Sequence, residues 1–193
     1  MTLATPPVIP GAGKPLRADA RRNRERIVKA ARAVFADQGM DAQIDDVAKR
    51  AKVGVGTVYR HFPTKEALLD ELVRERFEEI AEYAQEALVR EDPWEGFCEL
   101  IWRAAERNAI DRAFCEMLAG SDQSAVVEET GLAGSTEELM ERAKAQGKMR
   151  ADATLMDVKI MMCGAGSVMF TMITAPDIWR RYLTLMLDGL RAS

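Results

Sequence analysis

The chain has 193 residues, 48% of them hydrophobic and 30% charged. This is globular composition; it excludes wholesale disorder and suits one compact domain or a small domain joined to a larger one. The net charge of -4 does not by itself suggest a nucleic-acid binder, but residues 1–66 hold 13 Lys/Arg against 7 Asp/Glu and the rest holds 14 against 24, so a basic module is joined to an acidic body.

Residues 1–16 contain Pro6, Pro7, Pro10 and Pro15 and no apolar core. They read as no secretory signal, and residues 1–20 are expected to form a flexible tail. Arg21 to Asp37 reads as a first helix, with Ile27, Ala31, Val34 and Phe35 on one face and Gly39 as its left-handed C-cap. Arg21, Arg22, Arg24 and Arg26 crowd its start, which opposes the helix dipole and would be relieved by a negatively charged partner.

Ile44 to Lys52 is a short second helix, with Ile44, Val47, Ala48 and Ala51 on one face and Asp45 and Asp46 favouring the dipole. Gly54 permits a turn with positive φ or a close helix approach. Thr57 to Phe62 is the third helix, ended by Pro63, and Thr64 caps the fourth, Lys65 to Arg90. Asp92-Pro93 starts a fifth helix to Asn108, and a sixth covers Asp111 to Leu118. Gly131 and Gly134 are expected to break the next stretch before a helix from Thr136 to Gln146. Thr154 and Asp157 make a capping-box-like start for a helix to Ile173, and Pro176 opens the last one, to Leu190. No run alternates at period 2, so the fold class is all-α.

The three cysteines, Cys98, Cys115 and Cys163, form no CxxC pair and fit reduced thiols in a cytoplasmic protein. His61 is the only histidine, which excludes a His-rich metal site. Met161 to Ile173 is too short for a membrane span and suits a buried helix. With no Ser/His/Asp order, metal-ligand spacing or phosphate loop, neither an enzyme nor a cofactor is expected.

Two short helices joined by a glycine-containing turn behind a basic helix make a helix-turn-helix pattern. The second helix of such a pair presents its N-terminal residues to the major groove while the first packs behind it. The run from Ile27-Val28-Lys29-Ala30-Ala31 through Phe35, Gly39, Ile44-Asp45-Asp46-Val47-Ala48 and Ala51-Lys52-Val53-Gly54-Val55-Gly56-Thr57-Val58-Tyr59-Arg60-His61-Phe62-Pro63-Thr64-Lys65-Glu66-Ala67-Leu68 closely resembles the DNA-binding domain of TetR-family regulators. The resemblance covers about residues 22–70. It implies phosphate or base contacts by Thr57, backbone contacts by Tyr59, and phosphate donation by His61 and Lys65. Gln43 replaces a frequent threonine, Gly54 stands where a serine cap is common, and Val55 lies at a variable position suited to a thymine methyl. Arg60 reads either as a guanine reader or as a solvated arginine. The expected DNA-facing set is therefore Arg22, Arg24, Gln43, Ile44, Val55, Gly56, Thr57, Tyr59, Arg60, His61 and Lys65.

The resemblance also implies a DNA-binding domain over residues 21–66, and over residues 67–193 a larger helical domain for dimerisation and effector binding. In the last helix, Ile178, Tyr182, Leu185 and Met186 form one apolar stripe and Trp179, Leu183, Leu187 and Leu190 another, and both need burial. The expected homodimer interface takes Gly166, Met169, Phe170, Trp179, Tyr182, Leu183 and Met186. Eleven methionines suit an adaptable apolar cavity. Its expected lining is Trp102, Glu106, Phe114, Met117, Met140 and Met162, for a small amphipathic organic effector. These expectations describe a repressor on double-stranded DNA, freed from a palindromic operator by its ligand. Two alternatives stay open: a DNA-binding regulator without an effector, and a dimeric small-molecule-binding protein.

Overall fold

The computed structural model describes residues 13–109, 114, 124–171 and 177–192, with the side chains of 13–17, 124 and 170 outside that description. The described residues form nine α-helices: α1 (Gly13–Gln38), α2 (Ile44–Ala51), α3 (Val55–His61), α4 (Lys65–Leu88), α5 (Pro93–Ala109), α6 (Ser124–Glu129), α7 (Leu132–Ala145), α8 (Leu155–Thr171) and α9 (Ile178–Leu190). A 3-10 turn, Gly39–Asp41, follows α1. Among the described residues there is no β-strand, only one antiparallel bridge between Met149 and Arg191. The sixth helix expected over Asp111 to Leu118 and the start expected at Pro176 lie outside the described residues, Phe114 apart.

Local capping chemistry sets several of the boundaries. Gly39 sits at φ 68° after α1, where an L side chain would be strained. The Thr64 hydroxyl accepts from Ala67 N–H at 3.1 Å to start α4. The Asp92 carboxylate accepts from Trp94 N–H at 2.9 Å and from Glu95 N–H at 3.3 Å to start α5. Thr154 and Asp157 cap each other's backbone at the start of α8: Thr154 N–H donates to the Asp157 carboxylate at 2.7 Å, and Asp157 N–H to the Thr154 hydroxyl at 3.4 Å.

Some boundaries differ from the sequence expectation. α1 begins at Gly13, so residues 13–20 are helical rather than tail; Pro15 falls in the first turn, where a missing N–H costs nothing. Arg21 to Arg26 therefore lie well inside the helix, and their conflict with its dipole does not arise. α3 begins two residues early, at Val55. Gly131 stops the preceding turn at φ 74°, but Gly134 lies within α7 and breaks nothing.

Two hydrophobic cores result. The first packs α1, α2, α3 and the start of α4 around Ile27, Phe35, Val47, Val58, Phe62, Leu68 and Leu72. The second packs α4, α5, α7, α8 and α9 around Ile80, Phe97, Leu139, Met161, Trp179 and Leu183. α4 serves both and, at about 1.5 Å per residue, is roughly 36 Å long. Two glycines mark close approaches in the second core. A Cβ at Gly96 would lie 2.8 Å from the Ala87 carbonyl oxygen, and one at Gly164 2.0 Å from the Tyr182 hydroxyl. No helix among the described residues is long and apolar enough to cross a membrane.

Candidate nucleic-acid interface

The turn between α2 and α3 is built differently from the expectation. Lys52, not Gly54, takes the left-handed conformation, at φ 56° and ψ 45°, and its N–H caps α2 on the Ala48 and Lys49 carbonyls. Gly54 is extended, at φ -70° and ψ 147°, and acts as an N-cap without a side chain. The Arg26 guanidinium, lying well inside α1, reaches the same turn. It donates to the Ala51 carbonyl at 2.7 Å and to the Lys52 carbonyl at 3.4 Å, placing a cation where the α2 dipole is negative.

α3 hangs on this frame by Val58, fully buried, and by Phe62 just past its end. Val55 is half-buried and packs on the same core. Gly56, Tyr59 and Arg60, at i, i+3 and i+4, share the face opposite Val58 and are exposed. Thr57 and His61 flank this face, half-buried. None of these five residues belongs to the first hydrophobic core.

Several expected contact residues have structural work inside the chain. Ile44 is buried in the first core, 6% exposed, and is corrected from a DNA contact to a packing residue; it begins the buried face it shares with Val47, Ala48 and Ala51. The Lys65 ammonium donates to the Met40 carbonyl at 2.5 Å and lies 5.6 Å from the centre of the Phe35 ring, tying the start of α4 to the link between α1 and α2. Arg22 pairs with Asp19. Arg24 pairs with Glu71 of α4 and lies over the Phe62 ring at 5.2 Å. The Glu71 hydrogen bond holds the Arg24 pKa above its ordinary value. Gln43 is exposed, and its amide donates to the Asp41 carbonyl at 2.6 Å rather than capping α2.

In the acidic body the expected pocket residues have different surroundings, although Met140, Trp102 and Met162 share the second core. Met140 is 2% exposed within the second core. Trp102 packs against Trp179, with ring centres 6.0 Å apart. Glu106 is exposed and pairs with Arg180 at 2.9 Å. Phe114 meets Phe77 edge-on at 6.2 Å, and Met162 is half-buried against the core. Met117 lies outside the described residues. A half-open cleft of about 470 Å³ lies elsewhere, between Asp92, Trp94, Cys98, Lys148 and Arg191, and none of the expected residues lines it. Burial pushes the Cys98 thiol there up to about 11, which keeps it protonated and unreactive near neutral pH.

The expected interface residues also divide. Trp179 and Leu183 are 4% and 0% exposed inside the chain's own core, so they are corrected from interface to core. The opposite stripe of α9 stays open, with Leu185 47% and Met186 38% exposed, and α8 adds Met156 and Ile160 at 59% and 60%. Tyr182, Gly166 and Met169 are half-buried beside it, and the Phe170 side chain lies outside the described residues.

One residue escaped the sequence reading. Arg76 of α4 is 4% exposed. It donates to the Arg107 carbonyl and to Asn108 Oδ1, each at 3.2 Å, and stacks 4.4 Å from the Phe114 ring centre. The signal was present: Leu72, Arg76, Ile80 and Ala84 recur at i+4 spacing, so a charge sits within an apolar stripe.

The profile for bacterial regulatory proteins of the tetR family matches residues 27–72. The profile for the C-terminal domain of SbtR-like transcriptional regulators matches residues 92–192. The transcriptional repressor KstR of Mycolicibacterium smegmatis is 32% identical over 138 residues, covering 68% of each chain. A TetR transcription regulatory protein of Mycobacterium vanbaalenii superposes with a TM-score of 0.62 at 32% identity, over 92% of this chain and all of that one. A TetR transcriptional regulator of Streptomyces coelicolor superposes with a TM-score of 0.64 at 27% identity, over 88% and 99%.

Proposed function

The chain belongs to the TetR family of bacterial transcriptional regulators, and on that premise we propose that it is a dimeric repressor that leaves a palindromic operator when a small amphipathic molecule binds its C-terminal body. The observation that carries the proposal is the exposed face of α3. Gly56, Tyr59 and Arg60 stand outward on a helix whose opposite side, Val58, is fully buried. A rigid short helix with a free outer face is what entry into a major groove requires. Thr57, His61, Gln43 and Lys65 flank that face as phosphate contacts, Lys65 with donors left beyond its single carbonyl partner.

Dimerisation is supported by Met156 and Ile160 of α8 and Leu185 and Met186 of α9, large apolar side chains left exposed on two helices that pack together. Two copies of this pair would make a four-helix interface with twofold symmetry, matching a palindrome. Effector binding is supported by Arg76 and Asn108 set among Phe77 and Phe114, a few polar groups in aromatic surroundings.

α4 is the element that a ligand would move. It is fastened to the first core by Arg24–Glu71 and by Arg32–Glu75 at 2.5 Å, and to the body by Arg74–Glu129 at 2.6 Å and Arg107–Glu79 at 3.0 Å. A ligand that binds one position of α4 better than another therefore shifts the two α3 helices of the dimer relative to each other. Selection of the protein on random duplexes should recover a palindrome, bound more weakly as salt rises. Recovery of no palindromic site overturns the reading as a repressor. Small-molecule binders that leave operator affinity unchanged overturn its ligand mechanism.

A further inference from the structure

We infer that Arg60 is the specificity-determining residue of α3 and reads a guanine in each operator half-site through the space that Gly56 leaves open; this rests on the DNA-reading proposal above. Among the described side chains of residues 18–66, Arg21, Arg22, Arg24, Arg26, Arg32 and Arg50 each hold an acidic or carbonyl partner within the chain. Arg60 is the one arginine of that set with no such partner, and it is exposed. Its whole guanidinium is therefore open to an outside acceptor, whereas each of the other six already has part of its donor set engaged within the chain.

Gly56 gives the arginine its access. On a helix each side chain leans toward the N-terminus and covers the turn before its own Cα, so Arg60 overlies position 56. There, a Cβ would meet no atom within 4 Å. A glycine inside a helix costs about 1 kcal/mol against alanine, and packing gives no reason for one here. The bare backbone lets α3 approach the base edges closely and leaves the guanidinium a path along the helix toward its groove-entering end.

The remaining groups of the face are poorer readers. Val55 is half-buried on the core, and Thr57 and Tyr59 each offer a single hydroxyl. Only the guanidinium offers two parallel donors, and only guanine presents the paired O6 and N7 acceptors that match them in the major groove.

The test is operator selection with the full-length protein and with Arg60→Ala, followed by affinity measurements across a salt series. The wild type should select a palindrome with an invariant guanine at one symmetric position. Arg60→Ala should lose about 5- to 150-fold of discrimination at that position alone, keep its other preferences and keep its salt dependence. A second variant, Gly56→Ala, should melt no lower than wild type yet bind the operator more weakly. Uniform weakening across all sequences by Arg60→Ala, with a salt slope lower by about one, would make Arg60 a phosphate contact and overturn the inference. Unchanged base preferences, or tighter operator binding by Gly56→Ala, would overturn it too. If the wild type selects no site, the DNA-reading proposal fails first.

Discussion

The two cores handle polar chemistry in opposite ways. Around Ile27, Val47 and Phe35 every buried side chain is apolar, and charge is kept outside in pairs such as Arg32–Glu75 and Arg50–Asp37. The four buried polar residues among the described ones, Arg76, Asn108, Ser135 and Thr136, all belong to the body. A surface that must present α3 in one fixed pose gains from an interior with nothing to rearrange. A body that holds a guanidinium, an amide and two hydroxyls inside keeps hydrogen bonds that can be exchanged for others, at the cost of a penalty whenever one is left unmade. Rigidity on one side of α4 and exchangeable bonding on the other is a division suited to passing a signal along that helix.

The comparison breaks if the two cores unfold as one. Phe35 is 1% exposed in the first core and carries the Lys65 ammonium on its ring. Phe35→Ala should cost about 3–5 kcal/mol there, enough to unfold a small core built on α1, α2, α3 and the start of α4. Urea titration followed by circular dichroism should then show two transitions, with operator binding lost before the body melts. A single transition at a lowered midpoint would mean that α4 couples the cores into one cooperative unit.

The next variant probes the polar interior. Arg76→Ala removes a buried guanidinium from the Arg107 carbonyl, from Asn108 and from the Phe114 ring, and should cost about 3 kcal/mol. Arg76→Met keeps the length of the stem and should cost less, since Glu79 retains Arg107 at 3.0 Å and Tyr83 at 2.6 Å. Denaturant midpoints of both variants check this, and equal losses would mean that Arg76 contributes through its hydrogen bonds and not through its bulk.

Legibility in the sequence followed distance along the chain. Gly39, Thr64, Asp92 and the Thr154–Asp157 pair act on backbone within four residues, so their type and position suffice to place helix ends. On α3, Val58 inside and Tyr59 and Arg60 outside follow from helical spacing, whereas Gly56 joins their face only because the helix starts at Val55 and not at Thr57. Pairings such as Arg26 to Ala51 and Arg24 to Glu71 span 25 and 47 residues and leave no local trace. The last helix shows the limit. Both its stripes are apolar, and only the packing of α9 on α8 and α5 decides that Trp179 and Leu183 turn inward while Leu185 and Met186 stay out. Ile44 stands in the expected DNA-facing set, whereas its own spacing with Val47 and Ala51 puts it in the core.

The smallest expected effect concerns the one point where the rigid core is less well closed than it can be. Gly54 begins α3 without a side-chain cap, yet its backbone, at φ -70° and ψ 147°, is the extended conformation that a serine cap adopts. A Cβ built there would lie 3.9 Å from Thr57 Oγ1, an ordinary contact, so nothing resists a side chain. Gly54→Ser should therefore add a hydroxyl acceptor for the free N–H groups of the first turn and narrow the unfolded ensemble. The expected gain is a few tenths of a kcal/mol to about 1 kcal/mol, or roughly 1–4 °C in melting temperature for a chain of this size. Gly54 stands off the outward face of Gly56, Tyr59 and Arg60, so the base preference of the operator should not change. A lower melting temperature would show that the turn needs glycine for a reason other than backbone conformation. A changed base preference would extend the reading surface back to the first residue of the turn and blur the separation between scaffold and face on which the first core is built.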